Sequence, residues 1–112
     1  VMTNIGLIKP GMSFAEMTAK AHRLPEEYRA LRYGVLAHGV GLCDEYPCVR
    51  YPEDVEAHGY GGVFEVGMTL SVEAYVGAVD GHEGVKLEEQ VVVTDNGVAP
   101  LSSYRYEAAM LA

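Results

Sequence analysis

Two segments in the second half of the chain alternate apolar and polar residues, the pattern of half-buried β-strands. In residues 69–76 one face carries Leu70, Val72, Ala74 and Val76, and in residues 85–94 one face carries Val85, Leu87, Val91 and Val93. The connection between them is short enough for antiparallel neighbours, and Asp95-Asn96-Gly97 predicts a hairpin turn. The chain therefore contains a sheet with one apolar face.

The first 31 residues carry helical signals instead. Ser13-Phe14-Ala15-Glu16 is a capping box, and an amphipathic helix over residues 14–22 is predicted to pack on the sheet through Phe14, Met17, Thr18 and Ala21. Pro25-Glu26-Glu27 suits the first turn of a second helix that runs to about Leu31. Residues 1–9 show no clear element. The tail from Ser102 to Ala112 has weak helical character.

Between these parts lies a third strand, predicted from Arg32 to Leu42 and broken by glycines in the run HGVG. A turn at residues 51–54 and an exposed connection over residues 55–62 follow it. Helices before a sheet of antiparallel strands indicate an α+β fold. A length of 112 residues allows at most one domain with a modest core.

Composition excludes two classes of partner. Eight Lys plus Arg stand against 16 Asp plus Glu, and the resulting net charge of −8 disfavours nucleic acid and anionic membranes. No apolar stretch approaches the length of a membrane span, and no signal peptide is expected, because Asn4, Lys9 and Pro10 interrupt the first apolar residues. Two cysteines are too few for a disulfide framework, so reduced thiols in a cytoplasmic protein are expected.

Three residues suggest metal chemistry. His38 is followed by Gly39 and is therefore accessible, while Glu73 and Glu88 lie on the polar faces of the two alternating strands. Cross-strand partners sit ~5 Å apart at Cβ, and two carboxylates that close repel each other unless a cation lies between them. One imidazole and two carboxylates suit zinc or iron(II). Taken singly, a hydrogen-bonded structural histidine and solvent-facing glutamates explain the same residues.

The order of these residues forms a compound pattern of the runs HGVGL, GMTLSVE and KLEEQVVVTDNG. It resembles the carboxy-terminal half of the pita-bread metalloenzymes, the fold of creatinase, prolidase and aminopeptidase P. The resemblance implies a curved antiparallel sheet with helices on one face. It also implies that residues 1–112 are a partial catalytic domain whose upstream half is absent.

That family holds two metal ions with two aspartates, one histidine and two glutamates. The resemblance assigns His38, Glu73 and Glu88 to the last three positions, and the aspartates to the upstream half. Iron or zinc are the metals expected in the full-length protein, and a homodimer is the expected assembly. With three of five ligands, the isolated chain is expected to bind metal weakly and to show little activity.

One departure separates the chain from the peptidases of this fold. Their run H-G-x-G-L-x-x-H-E-x-P contains a second histidine, whereas HGVGLCDEYP is one residue shorter and has acid at that place. The pattern is more similar to the dimethylsulfoniopropionate lyases of the same fold. In these, a tyrosine precedes the ligand histidine by five residues and an aspartate follows it by six, as Tyr33 and Asp44 do here.

This resemblance implies β-elimination of a small-molecule substrate, dimethylsulfoniopropionate, to dimethyl sulfide and acrylate. Asp44 is expected to be the base, made basic enough by its neighbour Glu45 and by partial burial. Tyr33 either contacts the sulfonium through its ring, a role open also to Tyr46, or orients Asp44 by a hydrogen bond; core packing is its structural alternative. Lys86 falls where the family often has arginine, which implies a salt bridge to a ligand carboxylate.

Several alternatives stay open. One is a proline-specific metallopeptidase of the Xaa-Pro type, which keeps the same ligands. Another is a pita-bread protein that has lost catalysis and serves as a binding module. No role is expected for His22, His58, His82 or Glu83, and Glu89 is expected to be a neighbour of the site.

Overall fold

The structure is a computed structural model that describes residues 1–110. Its α-helices are α1 (Met2–Leu7), α2 (Phe14–Lys20), α3 (Glu26–Arg29) and α4 (Val55–His58). Its strands are β1 (Val35–Gly39), β2 (Cys48–Arg50), β3 (Thr69–Gly77), β4 (Gly84–Thr94) and β5 (Gly97–Pro100). Short 3₁₀ helices span Pro52–Asp54 and Ala108–Met110.

The five strands form one antiparallel sheet in the order β2-β1-β3-β4-β5. The two alternating segments of the sequence are β3 and β4, which pair continuously from Thr69–Val92 to Gly77–Gly84. The predicted turn at Asp95-Asn96-Gly97 leads into β5. As the central strand, β3 has neighbours on both sides.

Helix α2 fixes the core against one face of this sheet. The Ser13 hydroxyl caps it by accepting a hydrogen bond from the Glu16 amide at 3.1 Å, as predicted. Its buried residues Phe14 and Met17 pack with Leu70, Val72, Val91 and Val93 of the sheet. The Thr18 hydroxyl donates to the Arg50 carbonyl at 2.9 Å and ties α2 to β2.

Helix α1 was not predicted, because its sequence MTNIGL has no clear amphipathic pattern. Packing supplies what the pattern lacks: Asn4 is buried and accepts a hydrogen bond from the His22 amide at 2.9 Å. This contact holds α1 against the end of α2, so a tertiary interaction outweighs weak local propensity.

Other boundaries differ from the prediction. Helix α2 ends at Lys20, α3 ends at Arg29, and the predicted exposed connection after residue 54 begins with the single turn of α4. The helical prediction for the tail is wrong over residues 102–107, which have no regular structure. Residues 111–112 of that prediction lie outside the described residues. Within residues 1–110, no helix has the length and apolar character needed to cross a membrane.

Candidate metal centre

The sheet register brings His38, Glu73 and Glu88 to one place. His38 of β1 pairs with Ser71 of β3, and Glu73 of β3 pairs directly with Glu88 of β4. Cross-strand partners share a face, and so do residues two apart on one strand. All three side chains therefore project from the same face of adjacent strands.

Their side chains also meet. His38 Nε2 lies 3.2 Å from Glu73 Oε1 and 3.7 Å from Glu88 Oε1. The other ring nitrogen, Nδ1, lies 2.9 Å from the Gly39 carbonyl oxygen. Because a carbonyl oxygen can only accept, this contact places a proton on Nδ1 and leaves Nε2 as the lone-pair nitrogen of the neutral ring. That nitrogen faces the two carboxylates.

Glu73 is fully buried, with 0% of its side chain exposed. The sequence placed it on a polar face, but this part of β3 is covered on both faces. Within residues 1–110, the polar contacts of its carboxylate oxygens are those with the Lys86 ammonium and the His38 ring. A buried carboxylate is costly unless it is paired with a cation. Glu73 therefore needs positive charge at this site.

Lys86 supplies part of that charge. Its Nζ lies 2.6 Å from Glu73 Oε2 and 3.3 Å from Glu88 Oε2, so the salt bridge expected for Lys86 is present. The contact with Glu73 raises the pKa of Lys86 against the opposing effect of burial. One ammonium beside two carboxylates leaves an excess of negative charge. The site is thus electrostatically suited to a further cation.

Glu88 is more open, with 35% of its side chain exposed. Burial disfavours its charged form, but the nearby Ser71 hydroxyl and the Lys86 ammonium outweigh that effect and hold the pKa of Glu88 below its ordinary value. An ionised carboxylate is the form that binds a metal ion. Glu88 is thereby kept in that form.

The donor set fits a divalent cation of the borderline class. It combines one imidazole nitrogen and two carboxylates, of which that of Glu73 is fully buried. In the described part of the chain, no group of three or more His, Cys, Asp or Glu side chains has the geometry to hold a metal ion. The cation between the carboxylates is Lys86. That these residues are ligands therefore stays a prediction.

Tyr33 contacts the centre through Lys86. The Lys86 ammonium lies 4.6 Å from the centre of the Tyr33 ring, so the cation on this ring is a side chain of the protein. The Tyr33 hydroxyl donates to Glu45 Oε1 at 2.8 Å. The alternative in which Tyr33 orients Asp44 by a hydrogen bond is therefore wrong for this structure. The same hydrogen bond to Glu45 raises the pKa of Tyr33.

Asp44 lies in the turn after β1, where its amide donates to the Gly41 carbonyl at 3.2 Å. Its φ of 55° is in the left-handed region, and its side chain is exposed. The expected partial burial of Asp44 is wrong, and no ion pair or side-chain hydrogen bond of its carboxylate occurs within residues 1–110. Nearby Tyr46 is 65% exposed and stacks on Tyr60, with ring centres 5.6 Å apart.

Gly39 allows this turn to close against the strand that carries His38. A Cβ added to Gly39 would lie 2.0 Å from the Tyr46 carbonyl oxygen and 2.7 Å from Pro47 Cδ. The Gly39 amide also donates to the Pro47 carbonyl at 2.7 Å, which fixes the distance between the two segments. Only a residue without a side chain fits here.

We therefore expect Gly39→Ala to lower the free energy of unfolding by about 2 kcal/mol, since overpacking against backbone forces a shift. Gly41→Ala is the matched control, because nothing lies within 4 Å of its added Cβ. Urea unfolding of the two variants beside the parent chain measures the difference. Equal losses would contradict the close approach of Tyr46 to Gly39.

The remaining acids and histidines lie apart from the centre. Glu89 points to the opposite face of β4 and accepts a hydrogen bond from the Tyr106 hydroxyl at 2.9 Å, so its expected place beside the site is wrong. Burial and this bond raise the pKa of Tyr106 to about 12. His22, His58 and His82 are exposed. Ser71 is buried beside the centre and was not among the predicted site residues. Its position two residues before Glu73, on the same face of the strand, was the signal that could have identified it.

Comparison with known proteins identifies the family. The description "Metallopeptidase family M24" matches residues 2–95. The chain belongs to metallopeptidase family M24. The dipeptidase PepE from Mycobacterium ulcerans is a similar solved structure, with a TM-score of 0.71, 26% identity, and coverage of 95% of this chain and 27% of that one. This likeness confirms the predicted pita-bread fold.

Two curated relatives are similar in sequence to this M24 chain. A dimethylsulfoniopropionate lyase DddP from Roseovarius nubinhibens is 46% identical over 111 residues, which are 99% of this chain and 25% of the relative. An Xaa-Pro dipeptidase from Lactobacillus delbrueckii subsp. lactis is 29% identical over 110 residues, 96% of this chain and 28% of the relative. The M24 chain thus spans about a quarter of the length of the curated relatives it matches.

Proposed function

We propose that the protein containing this chain is a metal-dependent lyase that cleaves dimethylsulfoniopropionate to dimethyl sulfide and acrylate. The observation that carries the proposal is the convergence of His38 and Glu88 on Glu73, a fully buried carboxylate. The identity of 46% to a relative named as such a lyase supports the substrate.

In the proposed mechanism, His38, Glu73 and Glu88 would hold a divalent cation, iron or zinc. When bound, this ion supplies Lewis acidity that polarises the substrate carboxylate. Asp44 removes the proton from the carbon next to that carboxylate. The electron pair of the broken C–H bond forms the C=C bond of acrylate, and the C–S bond breaks with its pair leaving on dimethyl sulfide.

The sulfonium of the substrate carries a positive charge that needs an aromatic face or an acid nearby. Tyr46 is the proposed aromatic contact, and Tyr33 can add a second one only on the ring face that Lys86 does not occupy. Tyr33 is held by its bond to Glu45, and Tyr46 is held by stacking on Tyr60, so neither ring needs to be ordered when substrate binds. Lys86 lies between the Tyr33 ring and the two proposed ligand carboxylates, and its contacts hold those carboxylates in place.

We further propose that residues 1–112 are the carboxy-terminal part of a larger catalytic domain. The quarter-length coverage of the relatives supports this. The upstream part supplies the two aspartates that complete a two-metal site. The isolated chain should then bind metal weakly, and the complete polypeptide is the protein to be tested.

The test supplies dimethylsulfoniopropionate to the complete, metal-loaded polypeptide. Headspace dimethyl sulfide and dissolved acrylate are expected in equal amounts, together with iron or zinc by elemental analysis. Proline-containing dipeptides form the parallel assay, because one relative, at 29% identity, is named an Xaa-Pro dipeptidase. Dipeptide cleavage without dimethyl sulfide would support the peptidase. If neither substrate gives a product, the remaining alternative is a pita-bread protein that binds metal without catalysis.

A cytoplasmic location and a homodimer are also proposed. Both cysteines are free thiols, which suits a reducing compartment. The outer edge of β4 pairs with β5 only from Val91 to Thr94 within residues 1–110, and an edge of this kind favours association. Sedimentation of the complete polypeptide would test the dimer.

A further inference from the structure

Ser71 lies at the centre of the sheet beside the proposed ligands. It pairs with His38 of β1 on one side and with Gln90 of β4 on the other, and it stands two residues before Glu73 on the same face of β3. Its side chain is therefore directed to the same face as those of His38, Glu73 and Glu88. The residue is fully buried.

The Ser71 hydroxyl has no hydrogen-bond partner of acceptable geometry within residues 1–110. A buried hydroxyl without a partner destabilises a fold, and a smaller apolar residue would avoid that cost. Packing alone therefore gives no reason for a hydroxyl at this position.

The nearby carboxylate gives such a reason. Ser71 pairs with Gln90, and Glu88 lies two residues before Gln90 on the same face of β4, so Glu88 is the diagonal cross-strand neighbour of Ser71 and its long side chain is within reach of the hydroxyl. Glu88 is the more exposed of the two glutamates and has more freedom to turn into solvent than Glu73. A donor beneath Glu88 restricts that freedom, as partners of metal ligands commonly do.

We propose that Ser71 is a positioning residue that holds Glu88 toward His38 in the orientation needed for metal binding. The inference rests on the proposed function, since it assumes that Glu88 is a ligand. It assigns Ser71 no contact with substrate. The hydroxyl acts through Glu88, and it destabilises the metal-free fold.

The experiment uses Ser71→Ala and Ser71→Thr in the complete polypeptide, with Zn²⁺ as the probe. Zinc affinity is measured by competition with a chelator, and the thermal midpoint is measured without metal. Ser71→Ala is expected to bind zinc about 10–100-fold more weakly, while its metal-free midpoint stays equal or rises. Ser71→Thr keeps the hydroxyl and is expected to retain the affinity.

Thr18→Val is the matched control. Thr18 also carries a buried hydroxyl, but this hydroxyl donates to the Arg50 carbonyl. Thr18 lies on α2, which packs against the opposite face of the sheet from Ser71. Its loss is expected to lower the midpoint and leave zinc affinity unchanged, the reverse of Ser71→Ala.

An unchanged zinc affinity in Ser71→Ala would overturn the positioning role, whatever the midpoint does. A poorly folded Ser71→Thr does not alter this, because the alanine variant decides alone. If the unaltered polypeptide binds no zinc, the proposed function fails first and the role of Ser71 fails with it. The two failures are therefore distinguishable.

Discussion

Glu73→Gln and Glu88→Gln are each expected to weaken metal binding by more than about 100-fold. This exceeds the roughly 10–100-fold loss that follows when a residue supporting a metal ligand is replaced. Each change removes a negative charge and one strong metal-binding oxygen from a centre with three proposed ligands. Lyase activity should fall in parallel. Glu89→Gln is the matched control, because Glu89 is the next residue along β4 and points to the opposite face.

The measurement is zinc affinity in the complete polypeptide, with the thermal midpoint of each metal-free variant beside it. In Glu73→Gln, the Lys86 ammonium loses its closest partner but remains 45% exposed, so water can solvate it and the fold should survive. Glu89→Gln should keep zinc affinity within about twofold, as surface substitutions usually do. Equal affinity in all three variants would exclude Glu73 and Glu88 as ligands.

The geometry behind this expectation was largely predictable from the sequence. The alternation of β3 and β4 fixed which side chains share a face, and the short connection between Gly77 and Gly84 fixed the antiparallel pairing. Glu73 then had to lie opposite Glu88, as it does. Local pattern succeeds here because strand periodicity and a short turn together leave one register.

The burial of Glu73 could not be predicted in the same way. A strand with one polar face is typical of a sheet that is open to water on that side. In the structure, β3 is central and is covered on both faces, so a residue on its polar face is fully buried. Coverage depends on elements distant in sequence. Alternation alone carries no information about it.

Contacts between loops were also beyond the sequence. Tyr33 and Asp44 have the spacing of the lyases, yet Tyr33 binds Glu45, the residue after Asp44. A turn with a left-handed residue at Asp44 decides which of two adjacent acids faces the strand. Spacing can place both acids near Tyr33, but the backbone conformation of the turn selects between them.

The left-handed conformation at Asp44 makes a clean test of the proposed base possible. Asparagine adopts this region readily, so Asp44→Asn removes the charge without adding backbone strain, whereas alanine would add it. We expect Asp44→Asn to lower kcat for dimethyl sulfide formation by about 10²–10⁴-fold, the usual contribution of a general base. Zinc affinity and the thermal midpoint should not change, because this carboxylate contacts neither His38 nor the two glutamates within residues 1–110.

Asp80→Asn is the control for this experiment, since Asp80 is an exposed acid in the connection between β3 and β4. It should keep full activity. The contrast separates two roles that a simple loss of activity would not. A ligand variant such as Glu88→Gln loses metal and activity together, whereas a base variant loses activity with its metal still bound. If Asp44→Asn retains the kcat of the unaltered protein, the proton is removed by another group, and the exposed position of Asp44 is then a property of the turn alone.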